Sequence, residues 1–276
     1  MSAFAARVTL GRSGLAVSKL GLGASYPAPA SAYREAFERG VNYFYWGSYR
    51  SRPMAEAIRE IARRERDALV VVLQSYSRVG GLLERFVERG LRRLGLERAD
   101  LLLLGWHNRM PSRGVLAAAA RVCERGLVGG VALSTHRRLF LREIADDRRF
   151  AVWHLRYNAV HRGAEREVFP LLAGRAPGER PGVVTYTTTR WGHLCDPART
   201  PPGEATPTGS DCYRFALSQP AVDLCLAGPA DAAQMREALL ALEKGPMSED
   251  ELAWMRRVGD HIYARDRTSG VRDGAS

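Results

Sequence analysis

The sequence predicts a (β/α)8 barrel, or TIM barrel, with a β-hairpin before it and one extra helix after it. Eight short apolar runs alternate with eight amphipathic stretches along the chain, and eight strand–helix units are the number that closes a parallel barrel. A doubly wound open sheet is the alternative, and it usually carries Gly-x-Gly-x-x-Gly after its first strand. The stretch Gly21–Ser25 does not complete that pattern, so we favour the barrel.

The predicted strands are short and apolar. Several are rich in valine or leucine, as parallel strands that are buried on both faces require, and each is too short to be a buried helix. The eight predicted strands are Leu20–Leu22, Tyr43–Tyr45, Leu69–Leu73, Leu101–Leu104, Gly130–Leu133, Val152–Leu155, Val183–Tyr186 and Leu224–Leu226.

The segments between these strands have the spacing of amphipathic helices. In the first of them Ser31 is the candidate N-cap and Gly40 marks the end. The eight predicted helices are Ser31–Arg39, Met54–Arg64, Leu82–Leu94, Val115–Arg125, Arg137–Ala145, Ala164–Leu172, Ser210–Leu217 and Ala232–Leu242.

The two ends of the chain are expected to add to the barrel. Val8–Val17 consists of two apolar runs around a Gly-Arg-Ser-Gly turn, which predicts a hairpin across the barrel bottom. Ser248–Arg265 predicts a final helix, in which Ser248 and Glu251 form a capping box. We therefore expect one domain over residues 1–267 and a disordered polar tail over residues 268–276.

Composition narrows the classes of function. No apolar run approaches the roughly 18 residues that span a membrane, and the N-terminus lacks a signal-peptide core, so we expect a cytoplasmic protein with no membrane partner. The net charge is +11. Its arginines lie among glutamates, which favours solvated helix faces over a nucleic-acid partner. The four cysteines form no Cys-x-x-Cys pair, so we expect free thiols and no metal site.

Several motifs occur in a characteristic order along nearly the whole chain. They are Leu10–Leu15, Ser18–Gly23, Gly40–Phe44, Gly130–Ser134, Tyr157–Asn158 with His161–Arg162, and Leu226–Pro229 with Gln234. Together they resemble the aldo-keto reductase superfamily. The resemblance implies a carbonyl reductase that uses NADP or NAD on a small-molecule substrate. In such enzymes a nicotinamide hydride attacks the carbonyl carbon and a tyrosine protonates the developing alkoxide.

The catalytic positions that the resemblance implies are mostly replaced. In the family an aspartate and a lysine lower the pKa of the tyrosine, and a histidine orients the substrate. Here Tyr45 stands in the place of the aspartate and Gln74 in the place of the lysine, while His107 comes two positions late. In the family the tyrosine follows the aspartate at a fixed spacing. Here Arg50 stands at that position, and Tyr49 comes one residue earlier.

We take Tyr49, His107 and Tyr45 as the candidate catalytic residues. The alternative for Tyr49 is packing at the barrel mouth, and the alternative for His107 is a structural hydrogen bond. Because successive residues of a barrel strand alternate between inside and outside, two of the four residues Tyr43–Trp46 should pack under helices. We expect Tyr45 and Trp46 to face the mouth.

The cofactor positions that the resemblance implies are better preserved. Ser134 stands where the family binds the nicotinamide carboxamide, and Thr135 replaces the usual neighbouring asparagine. His154 occupies the place of a glutamine on the sixth strand, and Tyr186 the place of an aromatic ring that stacks on the nicotinamide.

The phosphate end of the cofactor site is expected near the last strand. Gly228 lets the backbone approach a phosphate at the following helix N-terminus, and Gln234 matches an adenine-facing position. The family's basic residue for the 2′-phosphate of NADPH is here Ala230, followed by Asp231, which would repel a phosphate or cap the helix. Arg190 is a candidate substitute. Either it compensates, or the preference for NADPH over NADH shrinks.

All of these positions fall at the carboxyl ends of predicted strands, where barrel active sites form. Three functions remain open at this point: an oxidoreductase with a modified catalytic set, a catalytically inactive pseudoenzyme that keeps the barrel for binding, and a lyase or isomerase. The sequence predicts that one cavity at the mouth is lined by Tyr49, Gln74, Gly105, Ser134, His154, Tyr186 and Gly228.

Overall fold

Eight parallel strands close into a barrel in the computed structural model, which describes residues 2–47 and 51–268. Each strand pairs with its neighbours in chain order, and the last pairs with the first, with Cys225 opposite Leu20. The predicted barrel is therefore confirmed. Its strands are β3 (Leu20–Gly23), β4 (Tyr43–Trp46), β5 (Val70–Ser75), β6 (Leu101–Leu104), β7 (Val131–Ser134), β8 (Val152–Arg156), β9 (Gly182–Tyr186) and β10 (Leu224–Ala227).

Helices surround the barrel and leave its carboxyl-end mouth open. The final helix begins with the predicted capping box, because the Glu251 amide donates to Ser248 Oγ and the Ser248 amide donates to the Glu251 carboxylate. The helices are α1 (Ala30–Glu38), α2 (Arg52–Glu65), α3 (Gly80–Leu94), α4 (Arg113–Glu124), α5 (Arg138–Glu143), α6 (Ala164–Glu167), α7 (Gly209–Leu217), α8 (Ala232–Lys244) and α9 (Glu249–Thr268).

Two details of the helix predictions are wrong, and proline explains both. The N-cap of α1 is Pro29 rather than Ser31, because the proline ring fixes φ and starts the first turn earlier in the chain. The segment predicted as one helix over Ala164–Leu172 is divided into α6 and a 3-10 turn at Phe169–Leu171. Pro170 lacks an amide hydrogen and clashes with the preceding turn, so an α-helix cannot continue through it.

The strands separate two apolar cores. Tyr43 and Val72 belong to the core inside the barrel, together with Leu10 and Val17 of the hairpin. Phe44 and Trp46 belong to the larger core between the barrel and its helices. The alternation along β4 therefore directs Tyr43 and Tyr45 inward. The expectation that Trp46 faces the mouth is wrong, because it lies in the same outward register as Phe44.

The N-terminal hairpin closes the bottom of the barrel, as predicted. Its strands are β1 (Val8–Thr9) and β2 (Ala16–Val17), which pair antiparallel. The Arg12 amide donates to the Arg180 carbonyl at 2.9 Å, and the Arg12 guanidinium donates to the carbonyls of Ala145 and Asp147. These bonds seat the hairpin, so the mouth is the open end of the barrel.

No helix in the described part of the chain is long and apolar enough to cross a membrane. Among the same residues, no three histidine, cysteine, aspartate or glutamate side chains are grouped as metal ligands. The four cysteines are free thiols.

The hairpin contact gives a stability prediction. Gly11 has φ +47, and a Cβ there would lie 1.9 Å from the Gly182 amide nitrogen, whereas Gly14 has φ +67 with nothing within 4 Å. Gly11→Ala should therefore combine backbone strain with overpacking and lower the free energy of unfolding by about 3 kcal/mol or more. Gly14→Ala, the matched control, should cost only the strain, about 1 kcal/mol. Urea unfolding measures both, and equal losses would contradict this account of the hairpin.

Candidate active site

The open mouth of the barrel holds a cavity of about 810 Å³. This volume lies in the range typical of small-molecule and cofactor sites. The cavity is lined by the carboxyl ends of the strands and by the loops that follow them, the region in which barrels of this kind place their active sites.

Most of the residues that the sequence singled out meet in this cavity, but not all of them. Those that line it are Tyr45, Gln74, Ser134, His154, Tyr186, Gly228 and Gln234. His107, Thr135 and Arg190 are buried beside it without lining it, as is Gly105. Tyr49 lies outside the described residues. The catalytic and cofactor roles of all these residues stay predictions.

Tyr45 and Gln74, which the sequence resemblance assigns to the positions of an aspartate and a lysine, form a hydrogen-bonded pair. The Tyr45 hydroxyl donates to Gln74 Oε1, and both side chains reach the cavity from adjacent strands. Burial raises the pKa of Tyr45 well above its ordinary value, and the neighbouring Tyr76, Tyr43 and Tyr186 raise it further. The pair is therefore neutral, and the Tyr45 phenol is a weak acid.

His154 lies deep in the cavity floor. Its Nε2 is 2.8 Å from the Tyr43 hydroxyl, and its ring centroid is 5.9 Å from that of Tyr45. Complete burial lowers the pKa of His154 from 6.5 to about 3, because a low-dielectric environment disfavours the charged imidazolium. His154 is consequently a neutral ring that offers hydrogen bonds but no charge.

His107 is held in its loop rather than in the cavity. Its Nε2 is 3.0 Å from a guanidinium nitrogen of Arg78, and its amide donates to the Ser134 carbonyl at 2.8 Å. Burial, together with the charge of Arg78, lowers the pKa of His107 to about 4. These are the contacts of the structural alternative that we considered for this residue.

Four aromatic rings form an arc around the mouth, which we call the aromatic arc: Tyr76, Trp106, His136 and Tyr186. Successive ring centroids are 5.9, 5.1 and 6.3 Å apart. Tyr76 and Trp106 are each 54% exposed although they belong to a concave site, and exposed apolar surface of this kind marks binding sites.

Sequence reasoning missed most of this arc. Tyr76 directly follows β5, and Trp106 and His136 each lie two positions after the ends of β6 and β7; that placement was the available signal. The conformation of the loops was not readable, since Trp106 has φ +55 and Trp191, another exposed ring of the cavity, has φ +54. Non-glycine residues adopt such angles at an energetic cost, and they cluster at functional sites.

The part of the cavity near β7 and β9 offers polar atoms beside flat rings. Ser134 Oγ accepts a hydrogen bond from the Trp106 amide at 3.0 Å. The Tyr186 hydroxyl is buried and has no hydrogen-bond partner in the described part of the structure, and burial raises the pKa of this phenol. Thr135 turns away, because its hydroxyl donates to Asn108 Oδ1 at 3.0 Å.

The part of the cavity near α8 has one lining carboxylate, Glu237, and a second carboxylate, Asp231, next to the lining residue Ala230. Asp231 caps α8 by accepting from the Gln234 amide at 2.8 Å, as considered from the sequence. Gln234 Oε1 in turn accepts from the Ala230 amide. Glu237 lines the cavity and accepts from the Ser210 amide at 3.1 Å.

Cations are scarce at this end. Among the described lining residues Arg156 is the single lysine or arginine. Arg190 is instead buried, with a guanidinium nitrogen 2.7 Å from the Asp266 carboxylate on α9.

Comparison with solved structures supports the same architecture. An aldo-keto reductase from Bacillus halodurans in its apo form superposes with a TM-score of 0.75 at 18% identity, over 92% of this chain and 95% of that one. An aldo/keto reductase from Klebsiella pneumoniae in complex with NADP and acetate gives 0.75 at 20% identity, over 92% and 96%.

The Klebsiella pneumoniae aldo-keto reductase in complex with NADPH gives a TM-score of 0.73 at 20% identity, over 92% of this chain and 95% of that one. The fold is that of the aldo-keto reductases. No protein-family model matches the chain, and no curated protein matches its sequence.

The buried histidine predicts a pH dependence of stability. Between pH 6.5 and about 3 His154 is protonated in the unfolded chain but not in the folded one, so stability falls as the pH drops through this window. At pH 5 the loss from this residue should be about 2 kcal/mol. His154→Gln keeps a hydrogen-bonding group near Tyr43 without titrating, so its loss between pH 7 and pH 5 should be smaller by that amount. Urea unfolding at both pH values tests this, and equal losses in the two proteins would refute it.

Proposed function

We propose that this cavity binds a nicotinamide dinucleotide, NADP or NAD, and that the chain is an aldo-keto reductase-like oxidoreductase that reduces a carbonyl group of a small molecule. One observation supports this most. The family resemblance assigns five residues to the cofactor, and they line one cavity although they come from three strands, a loop and a helix: Ser134, His154, Tyr186, Gly228 and Gln234.

The residues at the inner end fit a nicotinamide. Tyr186 offers a flat ring and a buried hydroxyl that lacks a partner within the described residues, while Ser134 and His154 offer polar atoms for a carboxamide. Gly228 lines the cavity without a side chain, beside the Tyr26 ring, so its backbone faces the space that a phosphate would occupy. When bound, the cofactor supplies a hydride for the carbonyl carbon.

The chain's own side chains would donate the proton and stabilise the developing charge. The alkoxide that develops during reduction needs a proton donor within hydrogen-bond reach and nearby positive charge. Tyr49 and Tyr45 are the proposed donors, and Arg156 is the guanidinium that reaches the cavity. The aromatic arc lines one side of the open mouth with rings, which offer a substrate apolar contacts there.

The charges near α8 support a small difference in affinity between NADPH and NADH. Asp231 and Glu237 place carboxylates there, and Ala230 supplies no charge where the family has a basic residue. Arg190, the candidate substitute, pairs with Asp266 instead. The sequence left two outcomes open: Arg190 binds the phosphate, or the preference for NADPH over NADH shrinks. We therefore favour the second.

We predict that the dissociation constants of NADPH and NADH, measured at one ionic strength, differ by less than about tenfold, since one charge-assisted phosphate contact is worth roughly 1.5–3 kcal/mol. Ala230→Arg should restore a preference for NADPH of about ten- to a hundredfold. Ala230→Gln, which adds length without charge, is the control. A strong preference for NADPH in the unmodified protein that survives Arg190→Ala would show that the phosphate site is misplaced.

A second candidate is a pseudoenzyme that binds the cofactor without reducing a substrate. The neutral pair of Tyr45 and Gln74 favours it, because no lysine stands beside the phenol to lower its pKa. This candidate shares the cofactor site with the first and differs in the absence of turnover.

Turnover separates the two candidates. We expect NADPH oxidation with a panel of aldehydes and ketones, and we expect Tyr49→Phe to lower kcat by about 10²–10⁴-fold if this phenol is the acid. The dissociation constant of NADPH should stay unchanged in the variant. Tyr45→Phe is the parallel variant, and a larger effect there would transfer the role to Tyr45. Tight NADPH binding without oxidation of any panel member would favour the pseudoenzyme.

A further inference from the structure

Two thiols meet in the wall of the cavity. Cys195 ends the 3-10 turn His193–Cys195 in the long loop between β9 and α7, and Cys212 lies in the first half of α7. Their Sγ atoms are 3.8 Å apart. Nothing in the sequence pattern pairs them, because they are 17 positions apart and outside any Cys-x-x-Cys motif.

The two thiols differ in access. Cys195 is half-buried and lines the cavity, whereas Cys212 is only 1% exposed. A small solute in the cavity therefore reaches Cys195 first, and Cys212 is reached through Cys195. The other two cysteines are placed differently: Cys225 contacts the Thr188 hydroxyl at 2.9 Å, and Cys123 lies on α4.

We propose that Cys195 and Cys212 form an oxidation site that hydroperoxides convert to a disulfide. The Cys195 thiol first releases its proton to solvent. The thiolate attacks the peroxide oxygen, the O–O bond breaks, and Cys195 becomes a sulfenic acid, while the leaving oxygen takes up a proton from solvent and departs as water (or an alcohol). Cys212 Sγ then attacks the Cys195 sulfur, and the S–O bond breaks. The hydroxyl leaves as a second water with the proton of Cys212. Two thiols lose two electrons, and the peroxide gains them.

The local environment assigns the two roles. The hydrogen-bond contact with Cys212 lowers the pKa of Cys195, although burial and the carboxylates of Asp211 and Glu237 oppose this. Burial and the same contact raise the pKa of Cys212. Cys195 is consequently the thiol that carries thiolate character and meets the oxidant, and Cys212 is the one that resolves the sulfenic acid.

The geometry needs little rearrangement. A disulfide requires sulfur atoms about 2.05 Å apart, so the two atoms must approach by somewhat less than 2 Å. Cys195 lies in a short turn between Gly192, with φ +87, and Asp196, outside the regular strands and helices. The bond would tie this loop to α7, whose first residue Gly209 also lines the cavity. Oxidation thus fixes one wall of the proposed cofactor site.

Treatment of the whole protein with hydrogen peroxide, followed by alkylation of free thiols and peptide mapping, tests the proposal. We expect one disulfide, between Cys195 and Cys212, and the loss of two alkylatable thiols in the unmodified protein. Cys123→Ser, the matched control, should form the same bond. Cys212→Ser should stop at a sulfenic acid on Cys195, which dimedone traps, and Cys195→Ser should form neither product.

Several outcomes would overturn the proposal. They are a disulfide that involves Cys123 or Cys225, all four thiols remaining alkylatable, or faster sulfenic acid formation at Cys123 than at Cys195. If a serine variant does not fold, peptide mapping of the unmodified protein still decides the proposal, because it shows which cysteines form a disulfide. Because the test uses no nicotinamide cofactor, its result is independent of the proposed reductase function.

Discussion

The eight parallel strands close on themselves, and this closure decides where their side chains lie. Every strand of a closed barrel alternates its side chains between the interior and the surrounding helices, and all eight carboxyl ends meet at one mouth. The last inward residue of each strand thus becomes a residue of the cavity floor. Tyr45, Gln74, Ser134, His154 and Tyr186 are brought together in this way, although they are spread over more than 140 positions of the chain.

The same constraint explains how much the sequence could predict. Strand positions follow from local apolar patterning, and the cavity residues that end the strands follow from those positions together with the family resemblance. Loop residues do not, because a backbone angle such as φ +55 at Trp106 is set by its surroundings and not by the residue itself. Hence Trp106 was overlooked, His107 was expected nearer the cavity than it lies, and the ion pair of Arg190 with Asp266 was not foreseen. Pro170, by contrast, indicates a helix end from the sequence alone, and the helix prediction did not take it into account.

The floor of the cavity is polar but uncharged. A carboxylate and an ammonium group at adjacent strand ends would attract each other and would also create a strong local field. Tyr45 and Gln74 retain one hydrogen bond there without ionising, and His154 is neutral as well. Desolvation of a neutral pair is far less costly than desolvation of two ions, so this floor is stable without a bound ligand. The cavity is better suited to holding planar, polar groups than to polarising them, unless Arg156 supplies the charge.

The contact between the hairpin and β9 also affects how the chain folds during its synthesis. Residues near the start of the chain dock on residues about 170 positions later, since Arg12 bonds to Arg180 and Gly11 lies against Gly182. Closing the barrel requires β10 beside β3, which is later still. During synthesis the first strands must therefore wait, with one edge of the sheet unpaired, until most of the polypeptide has left the ribosome. Pairings of such long sequence separation are slow to form and expose an aggregation-prone edge, so a nascent chain of this protein is a natural client for chaperones.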